Sequence, residues 1–266
     1  MALPIPQPVK PFVTALRRRE TYLGYAREAM SFAKCVARYP LGFGDGGLRS
    51  GRPSGEADRD TPVLLVHGFG HNRSGWFVVD EHLRHAGLTS VHRWNYDPFR
   101  HDVPELAEML GERVERLCAA TGFDRVHVVG HSLGGILLRW YIQELGGDAR
   151  VITAITVASP HQGTRLASFV PSFGSLTAQQ LAPGSWLMRR LERAAAPSAV
   201  RWVAFYSNLD FFVQPATSAM ITTPALRATN VLVKDAGHLS ILLSSRVADG
   251  VVDAIQHSPV ADAVAS

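Results

Sequence analysis

Short, nearly continuous apolar runs recur along the chain, separated by stretches in which apolar residues return every three or four positions. Val63-Leu64-Leu65-Val66, Val126 to Val129 and Val151 to Val157 are the clearest runs, and Ser90 to Trp94, Val200 to Ser207 and Thr229 to Lys234 read as further strands. Continuous rather than alternating apolarity predicts parallel strands buried on both faces. Between them, helical spacing runs from Ser74 to His85, through Leu106, Met109, Leu110, Val114, Leu117 and Cys118, through Ile136, Leu137, Trp140 and Tyr141, and from Ser245 to Gln256. Asp102, with Glu105 three residues on, has the form of a capping box and places the start of the second of these helices. Strands alternating with helices predict a mostly parallel sheet covered by helices on both faces.

The alternation fails in two places. Residues 1–60 precede it, as a proline-broken arm over 1–11, a helix over 14–39 and a glycine-rich linker over 42–60. The helix carries an apolar stripe of Leu16, Leu23, Ala26, Met30, Ala33 and Ala37, and is made basic by Arg17, Arg18, Arg19 and Arg27. Such a stripe usually packs inward, so the expectation is a helix docked on the main domain, with a membrane-surface element as the alternative. The main domain is expected over 61–256, with a frayed tail over 257–266. The second lapse is an insert over 165–199, rich in Phe, Trp, Leu and Met but broken by Pro171, Pro183 and Pro197. Inserts of this length between strands tend to be functional. Short helices laid over a site as a cover are expected here, with Phe169, Trp186 and Leu187 lining it.

Composition narrows the classes. Of 266 residues, 46% are hydrophobic and 19% charged, enough apolar material for one large α/β domain. The net charge of +4 is spread in short clusters, without a long basic run or zinc-finger spacing, which argues against a nucleic-acid partner and leaves anionic surfaces compatible. Neither Cys35 nor Cys118 has a pattern that points to a disulfide, and Cys118 falls on the apolar face of its helix. No apolar stretch approaches the ~18 residues of a membrane span. Met1 to Pro11 lacks the layout of a signal peptide, which favours a cytoplasmic or cell-associated location over secretion. The eleven histidines are not spaced as metal ligands, so no metal or cofactor is expected.

Chemistry concentrates at strand ends. Gly130-His131-Ser132-Leu133-Gly134 fits G-x-S-x-G between a predicted strand and a predicted helix, the context of a nucleophile elbow. A serine hydroxyl needs a neighbouring base to attack an ester, and the base needs an orienting carboxylate. Asp210 and His238 each follow a later predicted strand, so both can converge with Ser132 on one sheet edge. Ser132 is the expected nucleophile, His238 the base and Asp210 the group that orients it, in preference to Asp235, which shares a loop with His238. His67-Gly68-Phe69-Gly70, after the first strand, offers the Phe69 N–H to an oxyanion, with the Leu133 N–H as its partner.

These segments, with Ser159-Pro160-His161-Gln162-Gly163-Thr164, Tyr206-Ser207-Asn208-Leu209-Asp210 and Gly237-His238-Leu239-Ser240, resemble the motif set of bacterial triacylglycerol lipases and esterases of the α/β-hydrolase superfamily, over about residues 61–256. The resemblance implies the α/β-hydrolase fold and cofactor-free hydrolysis of apolar acyl esters, with a lipid or small-molecule ester as partner and contact with a lipid interface compatible. It also implies that residues 1–60 are an addition. An acyltransferase or thioesterase would use the same acyl-enzyme. A non-catalytic binding protein on this fold is the remaining alternative.

Overall fold

The computed structural model describes residues 19–44, 61–169, 175–193 and 198–257. The expected arm over 1–11, most of the glycine-rich linker and the tail after Pro259 lie outside these residues, as do Arg17 and Arg18. Six strands form one sheet: β1 (Val63–Val66), β2 (Val91–Trp94), β3 (Val126–His131), β4 (Val151–Val157), β5 (Arg201–Ser207) and β6 (Thr229–Val233). Their spatial order is β2-β1-β3-β4-β5-β6, and every pairing is parallel. The helices are α1 (Arg19–Arg38), α2 (Phe77–His85), α3 (Val103–Thr121), α4 (Leu133–Glu144), α5 (Arg165–Phe169), α6 (Leu176–Gln180), α7 (Trp186–Glu192) and α8 (Ser245–Gln256).

Successive strand residues point to opposite faces, so a strand covered on both sides must be apolar throughout. That is the origin of the continuous runs. Leu64, Val66, Val126 and Val128 join Leu106, Leu110 and Leu117 of α3 and Ile136 and Leu137 of α4 on one face. Val63, Leu65 and Val129 join Val79 and Leu83 of α2 and Val247 and Val251 of α8 on the other. The capping box at Asp102 is present: its carboxylate accepts the Glu105 N–H at 3.0 Å, and Glu105 accepts the Asp102 N–H at 3.1 Å. Cys35 and Cys118 are both free and buried.

The chain runs from β1 outward to β2, then returns to lay β3 on the other side of β1. A sheet that reverses direction in this way opens a crevice at the carboxyl ends of the two strands that flank the reversal, β1 and β3. Val66 of β1 lies level with Gly130 of β3, and the turn after each strand enters that crevice.

Helix α1 docks as expected, but through the opposite face. Its buried positions are Thr21, Gly24, Ser31 and Cys35, while Leu23, Ala26, Met30, Ala33 and Ala37 of the expected stripe face solvent. Small residues let the helix approach closely: a Cβ at Gly24 would meet Leu209 Cδ1 at 2.5 Å. The turn after it is stitched to the domain, with Asn95 donating to the Gly42 carbonyl at 2.7 Å and Asn72 donating to the Tyr39 carbonyl at 2.9 Å.

Arg139 of α4 is a charge with 2% exposure. Its guanidinium donates to the carbonyls of His161 (3.1 Å) and Leu191 (2.6 Å), to Thr223 Oγ1 (2.7 Å) and to Gln143 Oε1 (2.6 Å). It thereby ties α4, the loop after β4 and the C-terminal end of the insert. Burial lowers its pKa to about 10, so it stays charged at neutral pH. Replacing it with Ala leaves several buried acceptors unpaired, at about 1–3 kcal/mol each. Arg139→Ala should therefore lower stability by about 3 kcal/mol or more, and Tm by roughly 6–12 °C, in a thermal melt. A shift within the error of the melt would contradict this account.

Candidate active site

Ser132 occupies the turn between β3 and α4 at φ 52° and ψ −119°, a conformation non-glycine residues rarely hold. Close packing imposes it. A Cβ on Gly130 would meet the Gly134–Gly135 backbone at 2.5 Å, and one on Gly134 would meet the carbonyls of Val66 and His67. Only glycines at these two positions let β1, β3 and α4 converge so tightly. The Ser132 N–H donates to the Val157 carbonyl at 2.9 Å, which fixes the turn against β4. Leu133 is the first residue of α4, and amides there have no acceptor within the helix.

Asp210 follows β5 and is 1% exposed. One carboxylate oxygen accepts the N–H groups of Phe212 (2.8 Å) and Val213 (2.9 Å); the other meets His238 Nδ1 at 2.8 Å. Asp235 instead sits at the turn after β6 with φ 58°, its N–H donating to Asn208 Oδ1. The carboxylate paired with His238 is thus Asp210. Burial by itself would push the His238 imidazolium down. The Asp210 charge and hydrogen bond, with the Glu28 charge, outweigh it, so the His238 pKa lies above its ordinary 6.5.

Three further histidines pack around this centre. His131 Nε2 meets the His238 carbonyl at 3.1 Å, and the two rings lie 4.8 Å apart. His131 therefore packs against the loop that carries His238. His67 Nδ1 meets the Gly68 carbonyl at 2.8 Å, and its ring stacks on Tyr96 at 4.2 Å. Tyr96 in turn donates its hydroxyl to the His67 carbonyl at 2.6 Å, which braces the turn carrying Phe69. Burial lowers His67 to about 4 and His131 well below the usual range, and it lowers His71 as well. Among the described residues no group of three or more His, Cys, Asp or Glu is arranged to hold a metal ion.

Ser132, His238 and Phe69 all border one mostly apolar cavity of about 840 Å³. The insert contributes Leu166, Ala167, Ala178 and Leu181 to its wall. Trp186 and Leu187 do not reach it, which corrects their expected role. Leu187 is fully buried with Leu137 and Trp140 in the core, and Trp186 lies edge-on to Trp140 at 5.6 Å. Apolarity marked the insert as packed, but helix α7 turns those side chains down onto α4. The side chain of Phe169 lies outside the described residues. The opposite wall comes from α1 and its following turn, through Phe32, Cys35, Val36, Tyr39 and Phe43. Sequence reading missed this wall because it sought the inward face of α1 on the Leu23–Met30 stripe.

Residues 63–252 match the profile of the Alpha/beta hydrolase family. Two curated triacylglycerol lipases, from Pseudarthrobacter phenanthrenivorans and Burkholderia plantarii, are each 32% identical over 117 residues, or 41% of this chain. The match spans about a third of their own length, 36% and 32% respectively. Among solved structures, Bacillus licheniformis lipase BlEst2 in its mature form superposes with a TM-score of 0.59 at 17% identity, covering 79% of this chain and 95% of that one. Aspergillus fumigatus lipase B superposes at 0.62 with 19% identity, covering 78% of this chain and 56% of its own. At these identities the likeness to the solved structures is one of fold.

The histidines make stability depend on pH in opposite directions. Unfolded histidine titrates near 6.5. His67 and His127 are held at about 4 by burial, so between pH 6.5 and 4 the unfolded chain takes up protons that the folded chain refuses. Stability should fall as pH drops through that window, by roughly 1.4 kcal/mol per pH unit for each. His238 is raised, so its contribution is complete below 6.5 and fades as pH rises through its folded value. Urea melts across this range should lose midpoint on acidification, and Asp210→Asn should lower the His238 titration followed by NMR. A flat midpoint, or an unmoved titration, would contradict these assignments.

Proposed function

Since the chain belongs to the Alpha/beta hydrolase family, we propose that it is a serine carboxylic ester hydrolase of the lipase/esterase kind, acting on apolar acyl esters through an acyl-enzyme. The observation that carries this reading is the shared cavity. A strained, half-buried serine and a histidine paired to a buried carboxylate border the same apolar space. The names of the curated relatives point the same way.

In this reading Ser132 Oγ attacks the ester carbonyl and its proton passes to His238 Nε2. Asp210 holds Nδ1–H, so the ring presents Nε2 to the serine and its cationic form is stabilised. The N–H groups of Phe69 and Leu133 receive the oxyanion, each such donor contributing about 3 kcal/mol to the transition state. Collapse expels the alcohol, which takes the proton from His238. Water, deprotonated by the same imidazole, then releases the acid and restores Ser132. The acyl chain lies in the cavity between the insert and α1. Phe32 of α1 lines the cavity, and on the outer side of the same helix exposed Leu23 and Met30, beside Arg27 and Lys34, give an apolar, basic surface suited to a lipid interface.

Ser132→Ala should abolish hydrolysis of p-nitrophenyl esters while the melt stays unchanged, and a serine-directed phosphonate should label Ser132 alone; labelling elsewhere rejects the nucleophile. Asp210→Asn should lower kcat by about 10⁴-fold, the size of effect seen when a triad carboxylate is neutralised. If Asp235→Asn does more damage, the acid is misassigned.

The cavity wall makes a separate prediction. Leu166→Ala, at a half-exposed wall position, should shift preference across esters of increasing chain length with stability within about 0.5 kcal/mol. Leu187→Ala should cost about 2–5 kcal/mol and leave that preference alone. The reverse pattern would put the acyl chain elsewhere.

A further inference from the structure

The loop that carries His238 is gripped by a residue more than two hundred positions away. Glu28, in the middle of α1, accepts the Leu239 N–H and the Ser240 N–H, one with each carboxylate oxygen, both at 2.8 Å. These two amides directly follow His238. The carboxylate lies flat on the loop, and a Cβ on Gly237 would collide with it. One turn earlier on the same helix, Gly24 packs on Leu209, the residue before Asp210. Tyr25 stacks on Phe211, the residue after it, with ring centroids 5.0 Å apart. A single helix therefore bears on both loops that form the His238–Asp210 pair. Charge-assisted bonds from two backbone N–H groups to one carboxylate are short and directional, and suit a clamp.

We propose that Glu28 is a positioning residue for His238: its two-pronged clasp on the Leu239 and Ser240 amides holds the imidazole in register with Asp210 and Ser132. This rests on the hydrolase reading above. Glu28 does not touch substrate; it acts through the loop and through its charge. The ionisable groups that face His238 are Asp210 from the loop after β5, Glu28 from α1, His131 from β3 and His71 from the turn after β1. Glu28 and Asp210 favour the imidazolium, whose charge in turn lowers the pKa of the two neighbouring histidines.

Glu28→Gln is nearly isosteric, but it turns an NH₂ toward one of the two N–H donors and removes the charge. On the full chain it should lower kcat by about 10- to 100-fold, the scale of a small misplacement of a catalytic group, with KM within about twofold. Removing a negative charge beside His238 lowers its pKa, so the acid limb of kcat/KM should move to lower pH. Glu28→Asp keeps the charge; it should hold the acid limb at its wild-type position and recover part of kcat. Gly237→Ala displaces the carboxylate from the other side and should reproduce the loss of kcat, which keeps the test open if Glu28→Gln fails to fold. The measurements are kcat, KM and the pH profile with a p-nitrophenyl ester, the rate of phosphonate labelling, and Tm. A Glu28→Gln protein with lowered Tm but wild-type kcat and acid limb overturns the clasp and leaves α1 a structural prop. A wild-type chain that neither hydrolyses esters nor reacts with the phosphonate overturns the hydrolase reading, and the clasp with it.

Discussion

A buried carboxylate organises this molecule. Asp210 is sealed from water, and a charge so placed must have each oxygen satisfied or it destabilises the fold. The solution constrains three segments at once. The chain after β5 doubles back so that Phe212 and Val213 donate their amides, and the loop after β6 must bring His238 Nδ1 within 2.8 Å. That second loop has an amide-rich bend of its own, which Glu28 occupies from α1. The pair of charges around His238 in turn lets a buried imidazole keep a raised pKa where its neighbours His67 and His131 are forced neutral.

The parts of this arrangement that follow from local rules were legible in the chain. Parallel strands covered on both faces must be apolar throughout, so β1, β3 and β4 announced themselves. Gly130 and Gly134 flank a serine at the one place where β3, α4 and β1 come closest, and the spacing of those glycines is itself the record of that contact. The pairing of His238 with Asp210 also followed from topology, because Asp210 ends a separate strand and can approach the ring from its far side.

What was not legible depends on which face of an element meets another. The insert is apolar because it packs, yet composition does not say whether Trp186 and Leu187 point to α4 or to the cavity; the answer is α4. Helix α1 misled more strongly. Leu23, Ala26, Met30, Ala33 and Ala37 form the stripe that amphipathic reasoning assigns to the core, and they face solvent. The buried face is Thr21, Gly24, Ser31 and Cys35, which would pass for a solvated or indifferent face in the sequence. Small residues contribute little hydrophobic burial, but they permit close approach, and a close approach is what lets a carboxylate on the helix reach backbone amides beneath it.

That geometry changes where the functional unit begins. A boundary near residue 61 describes the sheet and its covering helices, and the family match begins at residue 63. The site does not respect it. One wall of the cavity is Phe32, Val36, Tyr39 and Phe43, and the loop bearing His238 is fastened to Glu28. The turn after α1 is tied down as well, by Asn72 from the turn after β1 and Asn95 from the turn after β2. Removing the segment would therefore open the cavity on one side and release the histidine loop on the other, two effects with separate physical causes. The helix is better understood as an element of the site than as an appendage.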